Sequence, residues 1–279
     1  MGYGDSIMVT GIAKAIKKKY PDYQIIIGNR TDLLSYYDPA IFINNPNIAA
    51  ESDIDLSKKT IWIEEYQGKR SYVKNADKEK FYWNEKYRAI PGELYFTAKE
   101  ISFAKSIFNK IEKTPSYRSK KKIIFIEPSR NTTHKNADSN NGEENKRWVL
   151  KRWQDVVNYF NHESLFVQST YKNCEILGGT HSFNLNFREA CALMSLCDFY
   201  LGWEGGFSHA AAALNKKGIV LFGGYIHPQT TGYNLHENIY VDISGSPCGM
   251  RKYCTHCEKC RKLITVEQVI EKIKKILIN

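Results

Sequence analysis

The order of apolar and polar positions along the chain switches between two periods. Residues 6–20 place Ile7, Ile12, Ala15 and Ile16 at helical spacing, and Pro21-Asp22 ends that pattern. Short apolar runs at residues 24–28 (QIIIG), 41–44 and 60–64 (TIWIE) predict strands, and helical patterns return at 76–87 and 97–112. Residues 114–122 are polar and basic and contain Pro115, which predicts a linker. A second run opens at 123–127 (IIFIE). It continues with helices at 153–160, 187–196 and 209–214 and strands at 164–168, 198–202 (DFYLG), 218–222 (GIVLF) and 239–243. The closing helix, 266–278, puts Val266, Val269, Ile270, Ile273, Ile276 and Leu277 on one face and lysines on its back, with Thr265 and Gln268 spaced as a capping box. Residues 129–145 are almost wholly polar and predict a long loop. Strands alternating with helices predict an α/β protein with parallel sheets. The implied division is a first domain over 1–113, a linker over 114–122, a second domain over 123–264 and a closing helix over 265–279.

A length of 279 residues fits two such domains, and 42% hydrophobic with 25% charged residues describes a globular chain. No apolar run approaches the ~18 residues of a membrane span, and the first 19 residues hold no apolar signal core, so the expected location is the cytoplasm. The formal charge of +10 comes with lysine clusters, among them Lys17-Lys18-Lys19 and Lys120-Lys121-Lys122. Such a field suits anionic partners: nucleotides, phosphorylated glycolipids, nucleic acid, or the inner membrane face as a peripheral contact. Solvated lysine faces in a Lys-, Asn- and Ile-rich chain explain the same numbers.

Two glycine segments precede helices. Gly2-Tyr-Gly4-Asp5 leads into the first helix, where Asp5 is either an N-cap or a general base. Trp203-Glu-Gly-Gly-Phe-Ser-His-Ala-Ala-Ala-Ala213 follows the strand 198–202. Its two glycines free backbone N–H groups to face a pyrophosphate at a helix start, and His209 lies in the first turn. A close-packed strand–turn–helix with a satisfied histidine is the bland alternative. A nucleotide-binding unit of this kind begins with a strand that feeds the glycine loop, and here the chain starts on the loop. A clipped start, with Asp5 left on an unanchored loop, is the expectation.

These segments resemble glycosyltransferase family 9, the ADP-heptose:lipopolysaccharide heptosyltransferases. Gly4-Asp5 with Thr10 is similar to the family's opening motif. Leu201 to Leu214, followed by Leu221-Phe-Gly-Gly224, is similar to its donor motif, and Lys146-Arg-Trp148 with Trp153 to its Lys-x-Trp segment. The resemblance implies a GT-B fold of two facing Rossmann-like domains and an inverting, metal-independent transfer from an ADP-heptose-like donor to a glycan or glycolipid acceptor. It implies Asp5 as the base, Lys146 neutralising the donor phosphates, Gly205, Gly206, Phe207, Ser208 and His209 cradling the pyrophosphate, and Glu204 contacting the sugar. Gly4, Arg188 and Thr231 are expected along the cleft. Glu204 stands where the family usually has Asp. Transfer to nucleic acid or protein, and a non-catalytic nucleic-acid-binding role on a degenerate fold, are the alternatives. Asp5, Lys146 and His209 together argue against degeneracy.

Seven cysteines without a secretory signal argue against a disulfide framework. Cys248, Cys254, Cys257 and Cys260 crowd into one expected loop, which also resembles the family's cysteine-containing tail. Four thiolates suit a structural Zn²⁺, the CxxCxxC part resembles iron–sulfur ligation, and free thiols are the third reading. Trp62, Tyr66, Tyr72, Phe81, Tyr82 and Trp83 are either core or a surface on which a sugar stacks.

Overall fold

The computed structural model describes residues 2–64, 70–117, 122–128, 145–171 and 174–278. Tyr66, most of the polar loop and residues 118–121 of the expected linker lie outside these.

Helix α1 (Tyr3–Lys19) takes Tyr3, Gly4 and Asp5 into its first turn, so the glycine segment is the start of a helix and not a loop before it. Strand β1 (Gln24–Asn29) pairs antiparallel with β2 (Leu34–Ser35) and parallel with β3 (Thr60–Ile63), in the order β2-β1-β3. Between them, residues 41–44 do not form the expected strand. Asp38 caps helix α2 (Pro39–Phe42) by accepting from the Ala40 N–H at 2.9 Å, and Pro39 presets the first turn.

Residues 76–87 are likewise not a helix. Strands β4 (Val73–Ala76) and β5 (Phe81–Trp83) form an antiparallel hairpin. Its turn is organised by Asp77, whose Oδ1 accepts from the N–H groups of Glu79 and Lys80 at 2.7 and 2.8 Å. Three consecutive aromatics favour a strand, with Phe81 and Trp83 turned inward and Tyr82 exposed. Helix α3 (Ala98–Glu112) begins on a reciprocal Thr97–Glu100 capping box, as its spacing allows.

The second half carries six parallel strands: β6 (Lys122–Ile126), β7 (Ser164–Thr170), β8 (Thr180–Asn184), β9 (Phe199–Trp203), β10 (Gly218–Gly223) and β11 (His236–Tyr240). Their order in space is β11-β10-β9-β6-β7-β8. The helices are α4 (Leu150–Phe160), α5 (Phe187–Leu196), α6 (Gly206–Ala213), α7 (Pro228–Thr231), α8 (Thr255–Leu263) and α9 (Val266–Ile278). The Thr265–Gln268 box before α9 forms in both directions. Strand β8 is polar and half-buried, which hid it from an apolar-run reading.

The buried strands alternate between two cores. Ile124, Ile126, Phe199, Leu201, Ile219 and Leu221 face α4 and α9. Ile123, Phe125, Tyr200, Val220 and Phe222 face the opposite way, into a cluster that continues through α5 and α6 to Ile7 and Val9 of α1 and Ile25 and Ile27 of β1. One apolar cluster therefore spans both halves. Helix α3 also lies on α5. There Arg188 forms an ion pair with Glu100 through its Nε, donates from Nη2 to Glu100 Oε2 at 2.8 Å, and donates to the Tyr95 carbonyl at 2.6 Å. The Arg188 contact holds the Glu100 carboxyl down at about 2, against an ordinary value of 4.5.

A group with a depressed folded-state value contributes stability above its unfolded value and loses it as pH falls toward the folded one. The stability difference between the protein and Glu100→Gln is therefore expected to be full above pH 4.5 and to shrink as pH falls toward about 2. Urea denaturation at several pH values measures it, and a difference that stays constant over that window would rule out the pair as its source.

Candidate active site

Strand β6 starts the second sheet, and the chain builds outward from it through β7 and β8 before returning to its other side at β9. In open α/β sheets, ligands bind at the carboxyl ends of strands where the order reverses. Here that point lies between β6 and β9. A cleft of about 390 Å³ opens beside it, lined from the second half by Lys146, Glu204, Gly205, Gly206, His209, Tyr225 and Arg251. From the first half it is lined by Gly2, Gly4, Asp5, Arg70, Tyr72 and Phe81.

The turn after β9 delivers Glu204 and the start of α6. Gly205 caps α6, with its N–H donating to Ser208 Oγ at 3.0 Å, and a Cβ placed on Gly205 would meet nothing within 4 Å. Glu204 is buried, and that alone would raise its carboxyl. The Lys146 ammonium and the His209 ring outweigh burial and hold it well below the usual carboxylate range. His209 Nε2 lies 3.5 Å from Glu204 Oε1, and Nδ1 lies 2.7 Å from the Tyr233 hydroxyl. The Glu204 carboxylate can only accept, so the Nε2 that faces it carries a ring proton, and burial keeps the Tyr233 phenol protonated beside Nδ1.

Lys146 is fixed by its neighbours. Buried Asn145 donates to the carbonyls of Met250 and Lys252 at 3.0 and 2.8 Å and accepts from the Cys254 N–H at 2.8 Å. Trp148 donates from its indole to the Ile264 carbonyl at 3.0 Å. The ammonium ion-pairs with Glu204 and stands 5.0 Å over the Tyr225 ring.

Asp5 reaches the same cleft from α1. The expectation of an unanchored Asp5 fails. Among the described residues no strand precedes α1, and its N-terminus is seated on the second half instead. Tyr3 stacks on Phe187 with ring centres 4.4 Å apart, and Gly4 rests on the His209 ring. The Asp5 side chain is nearly buried, with Tyr72 donating to Oδ1 at 2.7 Å and Arg70 Nε 3.2 Å from Oδ2.

The structure thus brings together Gly4, Asp5, Lys146, Glu204, Gly205, Gly206 and His209. The side chains of three other expected residues serve packing, while the N–H groups of Phe207 and Ser208 lie in the first turn of α6. Phe207 stacks on Phe187 and packs at a tilt against Phe125, Ser208 closes the α6 cap, and Thr231 is buried in α7 and does not line the cleft. Arg188 is not a cleft residue either. Four of its five N–H donors are directed at Glu100 and at the carbonyls of Tyr95 and Ala40. Arg70, Tyr225 and Arg251 escaped a reading of local motifs, because only long-range packing brings them here, while Tyr72 and Phe81 of the expected aromatic set do line the cleft.

The cysteine segment is a helix with a preceding turn, not a loop throughout. The ligand atoms of Cys248, Cys254, His256 and Cys257 all lie within 4.8 Å of one another. Cys260 stands outside that set, its sulfur 3.8 Å from the His256 ring nitrogens and 3.7 Å from Ser246 Oγ. The sulfurs of Cys248 and Cys257 are 2.7 Å apart. That contact lowers the Cys248 thiol below its ordinary value and pushes Cys257 up.

Residues 97–257 match the model of glycosyltransferase family 9 (heptosyltransferase). The chain is 23% identical to lipooligosaccharide heptosyltransferase 2 of Campylobacter jejuni over 315 aligned residues, covering 99% of this chain and 96% of that protein. It is similar in fold to a family 9 glycosyl transferase from Veillonella parvula, with a TM-score of 0.63, 12% identity and coverage of 100% and 95% of the two chains. It is also similar to the iron-containing dodecameric glycosyltransferase TibC of enterotoxigenic E. coli, with a TM-score of 0.60, 12% identity and coverage of 99% and 74%. The two facing halves are those of the GT-B fold.

Two glycines of the cleft differ in what they tolerate. A Cβ at position 4 would lie 2.8 Å from His209 Cδ2, inside the packed seam. Gly4→Ala is expected to destabilise the protein by about 1–3 kcal/mol. Gly205→Ala, open on that side, should cost no more than about 1 kcal/mol as a lost cap preference. Denaturant unfolding ranks the two, and the reverse order would contradict the seam.

Proposed function

The chain belongs to glycosyltransferase family 9, the heptosyltransferase family, and on that premise we propose that it moves a heptose-like sugar from a nucleoside-diphosphate donor to a glycan or glycolipid acceptor. The observation that carries this reading is the meeting, in one cleft, of a carboxylate from the first half with a cation and a helix N-terminus from the second.

The donor's diphosphate lies at the start of α6. Gly205 leaves space there, the helix dipole favours negative charge, and Lys146 has ammonium protons to offer beyond the one directed at Glu204. Glu204 orients Lys146 and His209, and its remaining lone pairs face the sugar. Asp5 takes the proton of an acceptor hydroxyl as that oxygen bonds to the anomeric carbon. The bond from that carbon to the phosphate oxygen breaks on the opposite face, inverting the centre, and the nucleoside diphosphate leaves with the electron pair. The leaving charge is met by Lys146 and the α6 amides, so no metal is needed for the chemistry.

Three thiols and one imidazole form a donor set suited to a tetrahedral ion, and they hold no group of the sugar-transfer cleft. We assign Cys248, Cys254, His256 and Cys257 to a structural metal that braces the segment on which Asn145 is anchored. Among the described residues no helix is long and apolar enough to cross a membrane. The reading places the enzyme in the cytoplasm, with its lysine-rich faces toward anionic glycolipid at the inner membrane.

Asp5→Asn is expected to lower turnover of ADP-heptose by about 10²–10⁴-fold. Calorimetry should find ADP bound as before, and undiminished turnover would remove Asp5 from the mechanism. For the metal, elemental analysis of protein purified without chelator should find about one zinc or iron per chain. His256→Ala should lose it and Cys260→Ser should keep it. Metal-free wild-type protein would leave the cluster as free thiols.

A further inference from the structure

We propose that Tyr72 is the positioning residue of the active-site base, its phenol holding the Asp5 carboxylate in a single orientation toward the cleft, with Arg70 completing the clamp. The proposal rests on the reading of Asp5 as the base.

Nothing on α1 itself fixes the Asp5 side chain firmly. Its one contact there is the Gly2 N–H, at 3.4 Å from Oδ2. The stronger contacts come from a segment 65 and more residues away. Tyr72 donates to Oδ1 at 2.7 Å, and the Arg70 guanidinium lies 3.2 Å from Oδ2. With the Gly2 N–H they take three of the roughly four lone-pair positions of the carboxylate, which leaves about one for a proton from the cleft. A base must point at the proton it removes within a few tenths of an ångström, so a clamp on its back side matters for rate more than for binding.

The clamp is itself rigid. The Tyr72 ring is buried against Trp83 and Tyr87, each 6.2 Å away between ring centres. The Tyr72 carbonyl accepts from the Asn84 N–H at 2.9 Å, and the Asn84 amide donates to the Ser71 carbonyl at 2.9 Å. Trp83 then donates from its indole to the Tyr225 carbonyl at 3.0 Å, which ties this platform to the second half. Burial, and next the Asp5 charge, push the phenol well above 10, so at working pH it is always the donor. Arg70 is held over the Phe81 ring at 5.7 Å.

The test is Tyr72→Phe, which keeps the ring and its stacking and removes only the hydroxyl. ADP-heptose is the donor, and water serves as acceptor where no sugar acceptor is supplied. The expected result is a fall in kcat of about 10- to 100-fold. KM for ADP-heptose and affinity for ADP should be unchanged, and the melting temperature should fall only slightly, because Arg70 still partners Asp5. Added to Asp5→Asn, the substitution should cost nothing further, because there is no base left to orient. A crystal structure of Tyr72→Phe should show the Asp5 carboxylate turned from its clamped orientation. Wild-type kcat in Tyr72→Phe beside an inactive Asp5→Asn overturns the role of Tyr72 and leaves the base assignment standing. An active Asp5→Asn overturns both. A parallel loss of kcat, ADP affinity and melting temperature marks a structural role only, as does an unmoved carboxylate, and either one overturns the proposal.

Discussion

Helix α1 from the first half lies against α6 from the second, with the missing side chain of Gly4 filled by the edge of the His209 ring. Most of the cleft follows from this close approach. It sets Asp5 on one wall while Glu204, Gly205 and Gly206 form the other. It also joins the apolar clusters of the two halves into one, so the two walls share a packed core. The stacked rings of Tyr3, Phe187 and Phe207 extend the same seam beyond the helix contact.

Burying charge in such a seam is costly unless each charge has a partner. Asp5 is met by Tyr72 and Arg70, and Glu204 by Lys146 and His209. Each compensating group is in turn held from behind. His209 leans on Tyr233, Lys146 is flanked by Asn145 and Trp148, Tyr72 rests on Trp83, and Arg70 lies over Phe81. The β4–β5 hairpin and the cysteine segment also touch directly. The Phe81 N–H donates to the Gly249 carbonyl at 2.8 Å, and the Arg251 N–H to the Glu79 carbonyl at 2.7 Å. The cysteine cluster thus lies behind the platform that carries the clamp on Asp5, and an ordered cluster supports both walls at once.

The second half was legible because its strands are buried on both faces and read as unbroken apolar runs, and because Gly205-Gly206 after β9 marks a strand–turn–helix. The first half was harder. Residues 41–44 are apolar enough for a strand, but Asp38-Pro39 just before them is a helix start, a signal that apolar content alone overrode. In 76–87, spaced aromatics imitate a helical face while Asp77 builds a turn. Half-buried β8 and helix α8 carry too few apolar residues to announce themselves.

By itself the sequence determined the α/β class, five of the six strands of the main sheet, the capped start of α9, and the two glycine segments that line the cleft. These are local properties, set by periodicity and by residues within a turn of one another. The pairings were decided by tertiary structure alone. Lys146 and Glu204 are 58 positions apart and Asp5 and Tyr72 are 67 apart, and no local pattern encodes which carboxylate receives which donor. The same holds for Arg188, which has the composition of a cleft residue and became a strut because α3 lies on α5. Side-chain partners at such separations are chosen by how the layers pack, and that choice exists only once the chain has folded.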